Sequence, residues 1–383
     1  MPDTSRPGIS RSDISRSDTS RSGITAANVT IGDYFTAVHT FLYTDNGKLL
    51  ADAMTKQTGG EILPGRIEKI DIFLIKHGRF YHPALIKTTA DTRTCSFVLN
   101  VAVSEEGNAC IETEYELLKK LGQIDHTGCL PQVYGKGRFF TDHGCEIQMF
   151  SGLWFDNFFE FHISKDHKTD QNRIIVWDQI RGNKYIAAES AARIYHNAAK
   201  ILTSFYNPET FEQIFSWHHA AGDFVVCIDD KENVEVKLIT VRRYAPMIDL
   251  PESGIPDPID SLHGLLLFLI NISIRTRFDR LDGIGKPVWA DEIAVESTVK
   301  GFFEALSQKS PLSGIELPLA DLFHEFVLRI TPSEFYEAVH EVTDSYNSKS
   351  PEIRLFSPNF VAHASKLYQA LGHDPSLISE KKV

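Results

Sequence analysis

The sequence predicts an α+β protein of two lobes, a small α/β lobe followed by a mostly α-helical lobe that carries a central β-hairpin. Three observations lead there. The 383-residue chain is longer than one compact core usually needs. By apolar period, its first part reads as strand, strand, helix, strand, strand, and most of the rest recurs at helical spacing. Within that helical part, Phe224 to Ile228 and Val234 to Ile239 are apolar runs of strand length, joined by the turn-rich segment Asp229 to Asn233. The expected organisation is a tail over residues 1–28, a small lobe over 29–152, an aromatic-rich hinge over 153–163, and a helical lobe over 164–383 with its hairpin at 223–240.

Composition narrows the function classes. A hydrophobic content of 42% with 25 Phe and 12 Tyr supports a substantial core. The net charge of −12 offers no basic field to a phosphate backbone, and no Lys/Arg stripe interleaved with aromatics overrides it, so nucleic acid is not an expected partner. Cys95, Cys110, Cys129, Cys145 and Cys227 are odd in number and form no CxxC pair, which argues against a disulfide framework and a thiolate zinc site and fits a reducing cytoplasm. The N-terminus is polar, without an apolar core of signal-peptide length, and the most apolar run, Leu265 to Ile270 extended to Ile274, is interrupted by Asn271 and Ser273 and is shorter than the ~20 residues that span a bilayer, so neither secretion nor a membrane span is expected.

Taken in order, residues 4–24 repeat an SRSD-like unit with almost nothing apolar, which predicts a disordered tail. Thr30 and Asp33 form an N-terminal cap pair before a short helix with Phe35, Val38 and Leu42 on one side, broken at Asp45-Asn46-Gly47. Thr58 to Gly65 is a loop. Ile67, Ile70 and Leu74 then mark a second helix that ends at Lys76-His77-Gly78. Neither GxGxxG nor GxxxxGKS occurs there or elsewhere, so the usual backbone cradle for nucleotide phosphates is missing. Arg79 to Thr89 and Cys95 to Ser104 read as paired strands, Asn108 to Leu121 as a helix with Glu116 and Lys120 as a surface pair, and Leu130 to Phe140 and Cys145 to Phe150 as two more strands. The connector Leu153 to His162 carries five aromatics. Helices are expected over Glu189 to Tyr206, over Ile259 to Arg280 as a buried one, through Leu319 to Ile330, from the capping box Thr331-Pro332-Ser333-Glu334 to Val342, and over Phe360 to Leu371.

The densest polar cluster precedes the hairpin. Trp217, His218, His219, Gly222 and Asp223 sit at the entry of its first strand, which suits a tight loop holding polar groups near a cleft floor. His218, His219 and Asp223 are the candidate reactive groups. Two blander roles stand beside that one: the histidines satisfy buried backbone groups, and Asp223 caps a turn. A third reading makes the trio ligands of a metal ion, although no ExxH or HxH spacing accompanies it.

The succession of elements over residues 79–280 resembles the bilobal protein-kinase-like fold, including its aminoglycoside-phosphotransferase relatives. Glu114-Tyr115-Glu116-Leu117-Leu118 resembles the C-helix signature and Leu130 to Gly135 the strand entry that follows, so the resemblance puts Glu114 in the place of the acid that pairs the third-strand lysine. Val236 to Arg242 resembles the strand and DFG segment, and Asp260 to Phe268 the buried helix of the large lobe. A phosphotransferase of this kind needs a lysine on the phosphates, groups that hold Mg²⁺ and an acid that accepts the substrate proton. Here Val101-Ala102-Val103-Ser104 puts Ser104 where the lysine belongs, with Lys87 on the adjacent strand as the substitute, and Thr240 stands where the metal-binding acid belongs. Asp223 aligns with either the catalytic Asp or the metal-binding Asn, depending on the gap.

The resemblance therefore implies a degenerate, pseudokinase-type binding or regulatory protein. A divergent phosphotransferase using Asp223 with His218 or His219 is the alternative. Glu114, Lys87, Ser104, Thr240 and Arg242 are the candidate nucleotide-binding positions, with ATP and Mg²⁺ the cofactor to test, and the expected partner is a small molecule or a protein.

Overall fold

The computed structural model describes residues 29–374 apart from 79, 216, 219–220, 251–255 and 347–350. The expected disordered tail therefore lies outside the described residues. The chain forms a mixed α/β structure divided into two compact units, Met1–Asp156 and Asn157–Val383.

The first unit opens with α1 (Ile31–Tyr43), capped reciprocally: Thr30 Oγ1 accepts the Asp33 amide at 3.1 Å and the Asp33 carboxylate accepts the Thr30 amide at 2.9 Å. Asp45, Asn46 and Gly47 all take positive φ, which breaks the helix where the sequence predicts. A second helix, α2 (Lys48–Thr58), follows at once; its Leu50, Ala51, Ala53 and Met54 are buried, a pattern the sequence reading passed over.

The strands β1 (Ile67–Leu74), β2 (Ala84–Ala90), β3 (Arg93–Ala102), β4 (Val133–Phe140) and β5 (Glu146–Leu153) form one antiparallel sheet in the order β1-β2-β3-β5-β4, and α3 (Glu105–Gly122) intervenes between β3 and β4. The segment Ile67–Leu74 is thus a strand and not the expected helix. Its Ile67, Ile70, Leu74 spacing fits a helical period, but a register shift between Ile67 and Lys69 leaves Ile70, Ile72 and Leu74 alternating at period two toward the core. Three β-branched isoleucines favour that outcome. One sheet face, with Ile86, Phe97, Leu99, Val101, Ile147 and Met149, shares a core with α1 and α2. The other carries Phe150, whose ring meets Tyr81 and Tyr115 of α3. Glu116 of α3 pairs with Lys136 of β4 at 2.9 Å.

The second unit holds more β structure than its periodicity predicts. The antiparallel strands β6 (Phe161–Asp166), β7 (Gln171–Val176) and β8 (Lys184–Tyr185) form a small sheet where only a connector and helices were expected. After α4 (Ala188–Phe205) comes β9 (Glu212–Phe215). The predicted hairpin follows as β10 (Phe224–Ile228) and β11 (Val234–Leu238), in register from Phe224↔Leu238 to Ile228↔Val234. Its turn is closed by Asp229, whose carboxylate accepts the amides of Lys231 and Asn233 at 2.9 and 2.8 Å. Next, β12 (Arg243–Pro246) pairs with β9.

The buried helix α5 (Pro258–Arg275) stops five residues before the expected Arg280, because Phe278–Arg280 leaves as β13 to pair with β14 (Pro287–Trp289). Helices α6 (Ile293–Leu306), α7 (Leu319–Val327), α8 (Pro332–Asp344), α9 (Pro351–Phe356) and α10 (Phe360–Ala370) complete the unit, and the Thr331–Glu334 capping box opens α8 as read from the sequence. The unexpected α6 packs closely on α4, where a methyl group at Gly301 would collide with the His196 carbonyl. Among the described residues, no helix is long and apolar enough to cross a membrane.

Candidate functional site

In the second unit the loop from Trp217 to Asp223 is fastened on several sides. Asp223, 1% exposed, ends it, and its backbone carbonyl accepts the Ile239 amide at 2.9 Å, which extends the hairpin ladder by one rung. Its carboxylate forms a forked pair with Arg242: Nη1 donates to Oδ2 at 2.8 Å and Nη2 to Oδ1 at 2.6 Å. The His218 amide donates to Oδ2 at 2.8 Å. From below, Arg275 of α5 donates Nη2 to the Trp217 carbonyl at 2.6 Å, with its guanidinium 5.3 Å from the Trp217 ring centroid.

A second charged group touches the same loop. Gly222 has φ 68, a backbone conformation that favours glycine, and a Cβ there would fall 2.7–2.9 Å from the carboxylate atoms of Glu160, so any larger residue makes the Glu160 carboxylate shift. Glu160 lies 3.8 Å from Nε2 of His162, and Nδ1 of His162 lies 3.4 Å from Oδ1 of Asp279. Asp279 is held in turn by the amides of Ile163 and Arg280, each at 2.7 Å. Burial alone would push the His162 imidazole down, but hydrogen bonds to Asp279 and Glu160 outweigh it and raise its pKa to about 9. At neutral pH this is a buried cation between two carboxylates, against the Trp177 ring at 4.5 Å. It is charged through the range in which a histidine general base has to be neutral. Just before this cluster, Phe159 and Val226 exchange both backbone hydrogen bonds at 2.9 Å, which ties the connector to β10.

The structure brings together Asp223, the His218 backbone and Arg242. His219 lies outside the described residues. Thr240 is half-buried between β11 and Arg242. The three positions in the first unit stand as follows. Glu114 is fully buried on α3 and accepts the Tyr81 hydroxyl at 2.6 Å. Ser104 is the N-cap of α3, its hydroxyl accepting the Gly107 amide at 3.2 Å, because β3 ends at Ala102. Lys87 is exposed on β2, opposite Asp71 of β1 and Ser96 of β3. Sequence reasoning missed Glu160, His162 and Asp279. The first two sat in a connector noted for its aromatics, and Asp279 fell inside an overlong helix.

No family model matches the sequence. A curated protein, the sodium-dependent nutrient amino acid transporter 1 of Drosophila pseudoobscura pseudoobscura, is 22% identical over 134 residues. That match covers 33% of this chain and 20% of the transporter, so the chain spans about a fifth of that protein's length. Among solved structures, WaaP in complex with acyl carrier protein aligns over 72% of this chain and 89% of its own, at 8% identity and a TM-score of 0.32. Likenesses of this size leave the reading of the site to its own residues.

Proposed function

We propose that this chain is a kinase-like protein of the pseudokinase type, which binds or regulates and does not transfer phosphate. One observation carries the reading: the carboxylate of Asp223, the only acid in the Trp217–Asp223 loop, is occupied on both oxygens by the Arg242 guanidinium. A Mg²⁺ ion drawn to that carboxylate meets a fixed cation already in place, and displacing it leaves a guanidinium to be resolvated. In the kinase-like alignment Thr240 offers only a hydroxyl at the second metal position. The hydroxyl of Ser104 is committed to a helix cap, and that of Tyr81 reaches Glu114, the place where a phosphate-binding lysine would pair.

These features favour the pseudokinase reading over a phosphotransferase built on Asp223. The Arg242 guanidinium on both Asp223 oxygens also weighs against a metal centre of His218, His219 and Asp223. The partner in this reading is a small molecule or a protein. The test is thermal denaturation of the full chain with and without Mg·ATP, followed by incubation with Mg·ATP and assay for released ADP. The reading expects no stabilisation and no ADP above blank. Stabilisation by several degrees with turnover of ATP overturns it.

A further inference from the structure

A cavity of about 550 Å³ opens in the second unit among β9, β12 and α5. Arg243 of β12 and Arg275 of α5 both line it, and both guanidiniums lie over the Phe215 ring, 5.9 and 5.8 Å from its centroid. Among the described residues, no acidic side chain lines the cavity and neither arginine forms an ion pair, although the protein as a whole carries a net charge of −12. Gln213 of β9 lines the same space. It is 2% exposed, and its side-chain Oε1 has no hydrogen-bond partner among the described residues. A buried amide oxygen left so costs about 1–3 kcal/mol unless something outside the chain meets it. Met247 and Phe215 add apolar wall, and the Tyr346 hydroxyl, bonded to Asn271 Oδ1 at 2.8 Å, closes another side. The β9 edge is itself held in place: buried Phe211 enters it at φ 58, and its carbonyl accepts the Met247 amide at 3.0 Å.

We propose that this cavity binds a small organic phosphate monoester. The dianionic group takes Arg243 and Arg275, a flat apolar body lies along Phe215 and Met247, and a donor on that body meets Gln213. Two guanidiniums from different elements match a phosphate that accepts from several directions better than a carboxylate, which one arginine satisfies alone. The volume falls in the range of small-ligand sites. The proposal rests on no part of the kinase-like reading, because no Mg²⁺ site or nucleotide is needed for it. His218 also lines this cavity, so an occupant would touch the loop that Asp223 and Arg242 fasten.

The experiment is calorimetric titration of the full chain with 4-aminophenyl phosphate, and separately with 4-aminophenol and inorganic phosphate. One-site binding of the aryl phosphate is expected, with weaker binding of inorganic phosphate and none of the uncharged phenol. Arg243→Ala, at an exposed residue with no ion pair among the described residues, should weaken the aryl phosphate about tenfold or more, a change of about 1.4 kcal/mol. Gln213→Leu should weaken it severalfold while leaving the melting temperature unchanged or raised, since the lost oxygen has no partner among the described residues. Absence of binding at about 5 mM (a Kd above ~1 mM), equal binding of the phenol, or unchanged affinity in Arg243→Ala overturns the proposal. Those results would leave the Mg·ATP outcome untouched.

Discussion

Arg242→Ala should destabilise the second unit more than Asp223→Ala does. Asp223 is 1% exposed, whereas the Arg242 side chain keeps 23% of its surface in solvent. Removing the arginine strips two charged hydrogen bonds, at 2.8 and 2.6 Å, from a buried carboxylate that keeps the hydrogen bond from the His218 amide. Breaking a buried pair from that side costs roughly 3–5 kcal/mol, and partial exposure of the pair puts the expected loss near ~3 kcal/mol. Removing the aspartate leaves a guanidinium that is able to turn toward water, so about 1–2 kcal/mol is expected, a little above a simple turn cap. The double variant should resemble Asp223→Ala, giving a coupling of about 3 kcal/mol, the full cost of Arg242→Ala. Urea denaturation followed by tryptophan fluorescence measures all three, because Trp217 is buried in this loop, and hydrogen exchange at Phe224–Ile228 localises the loss. A cost below about 1 kcal/mol for Arg242→Ala, or a cost smaller than that of Asp223→Ala, would refute the picture of a buried carboxylate neutralised by one arginine.

Two further outcomes follow from the neighbouring cluster. The His162 pKa, raised to about 9, means the folded state holds a proton that the unfolded chain releases near pH 6.5; its stabilisation is complete below pH 6.5 and is lost as pH rises to 9. The loss is of the order of 3 kcal/mol, and a His162→Gln variant should lack that slope, so a wild-type melting temperature that is flat from pH 6.5 to 9 contradicts the charged assignment. Gly222→Ala should cost about 1–2 kcal/mol, chiefly from the positive φ; an unchanged urea midpoint would mean that the loop does not hold residue 222 in that conformation.

Local signals in the sequence were legible where the chemistry that sets them is local. The Thr30–Asp33 and Thr331–Glu334 boxes each close within three residues, and the β10–β11 hairpin is set by a five-residue turn whose aspartate bonds its own backbone. The short strands of the second unit were not legible. Phe161–Asp166 is too brief to show a period, and it becomes a strand only through its pairing with Gln171–Val176. The misread Ile67–Leu74 failed for the opposite reason, since its apolar spacing satisfied two periods and only the pairing with β2 decided between them. The candidate site was visible in part. Asp223 and Arg242 were both singled out, but nothing in a one-dimensional pattern says that an arginine 19 residues on will occupy both carboxylate oxygens. His162 and Asp279 are 117 residues apart and meet only in the folded chain.

Calorimetric titration of Mg·ATP into the full chain and into Arg242→Ala tests the central claim most directly. The closed Asp223–Arg242 pair predicts no measurable binding of Mg·ATP by the wild-type chain. Affinity in the low micromolar range for the wild type, about −7 to −8 kcal/mol of binding free energy, would contradict it and show that other groups hold the phosphates and the metal.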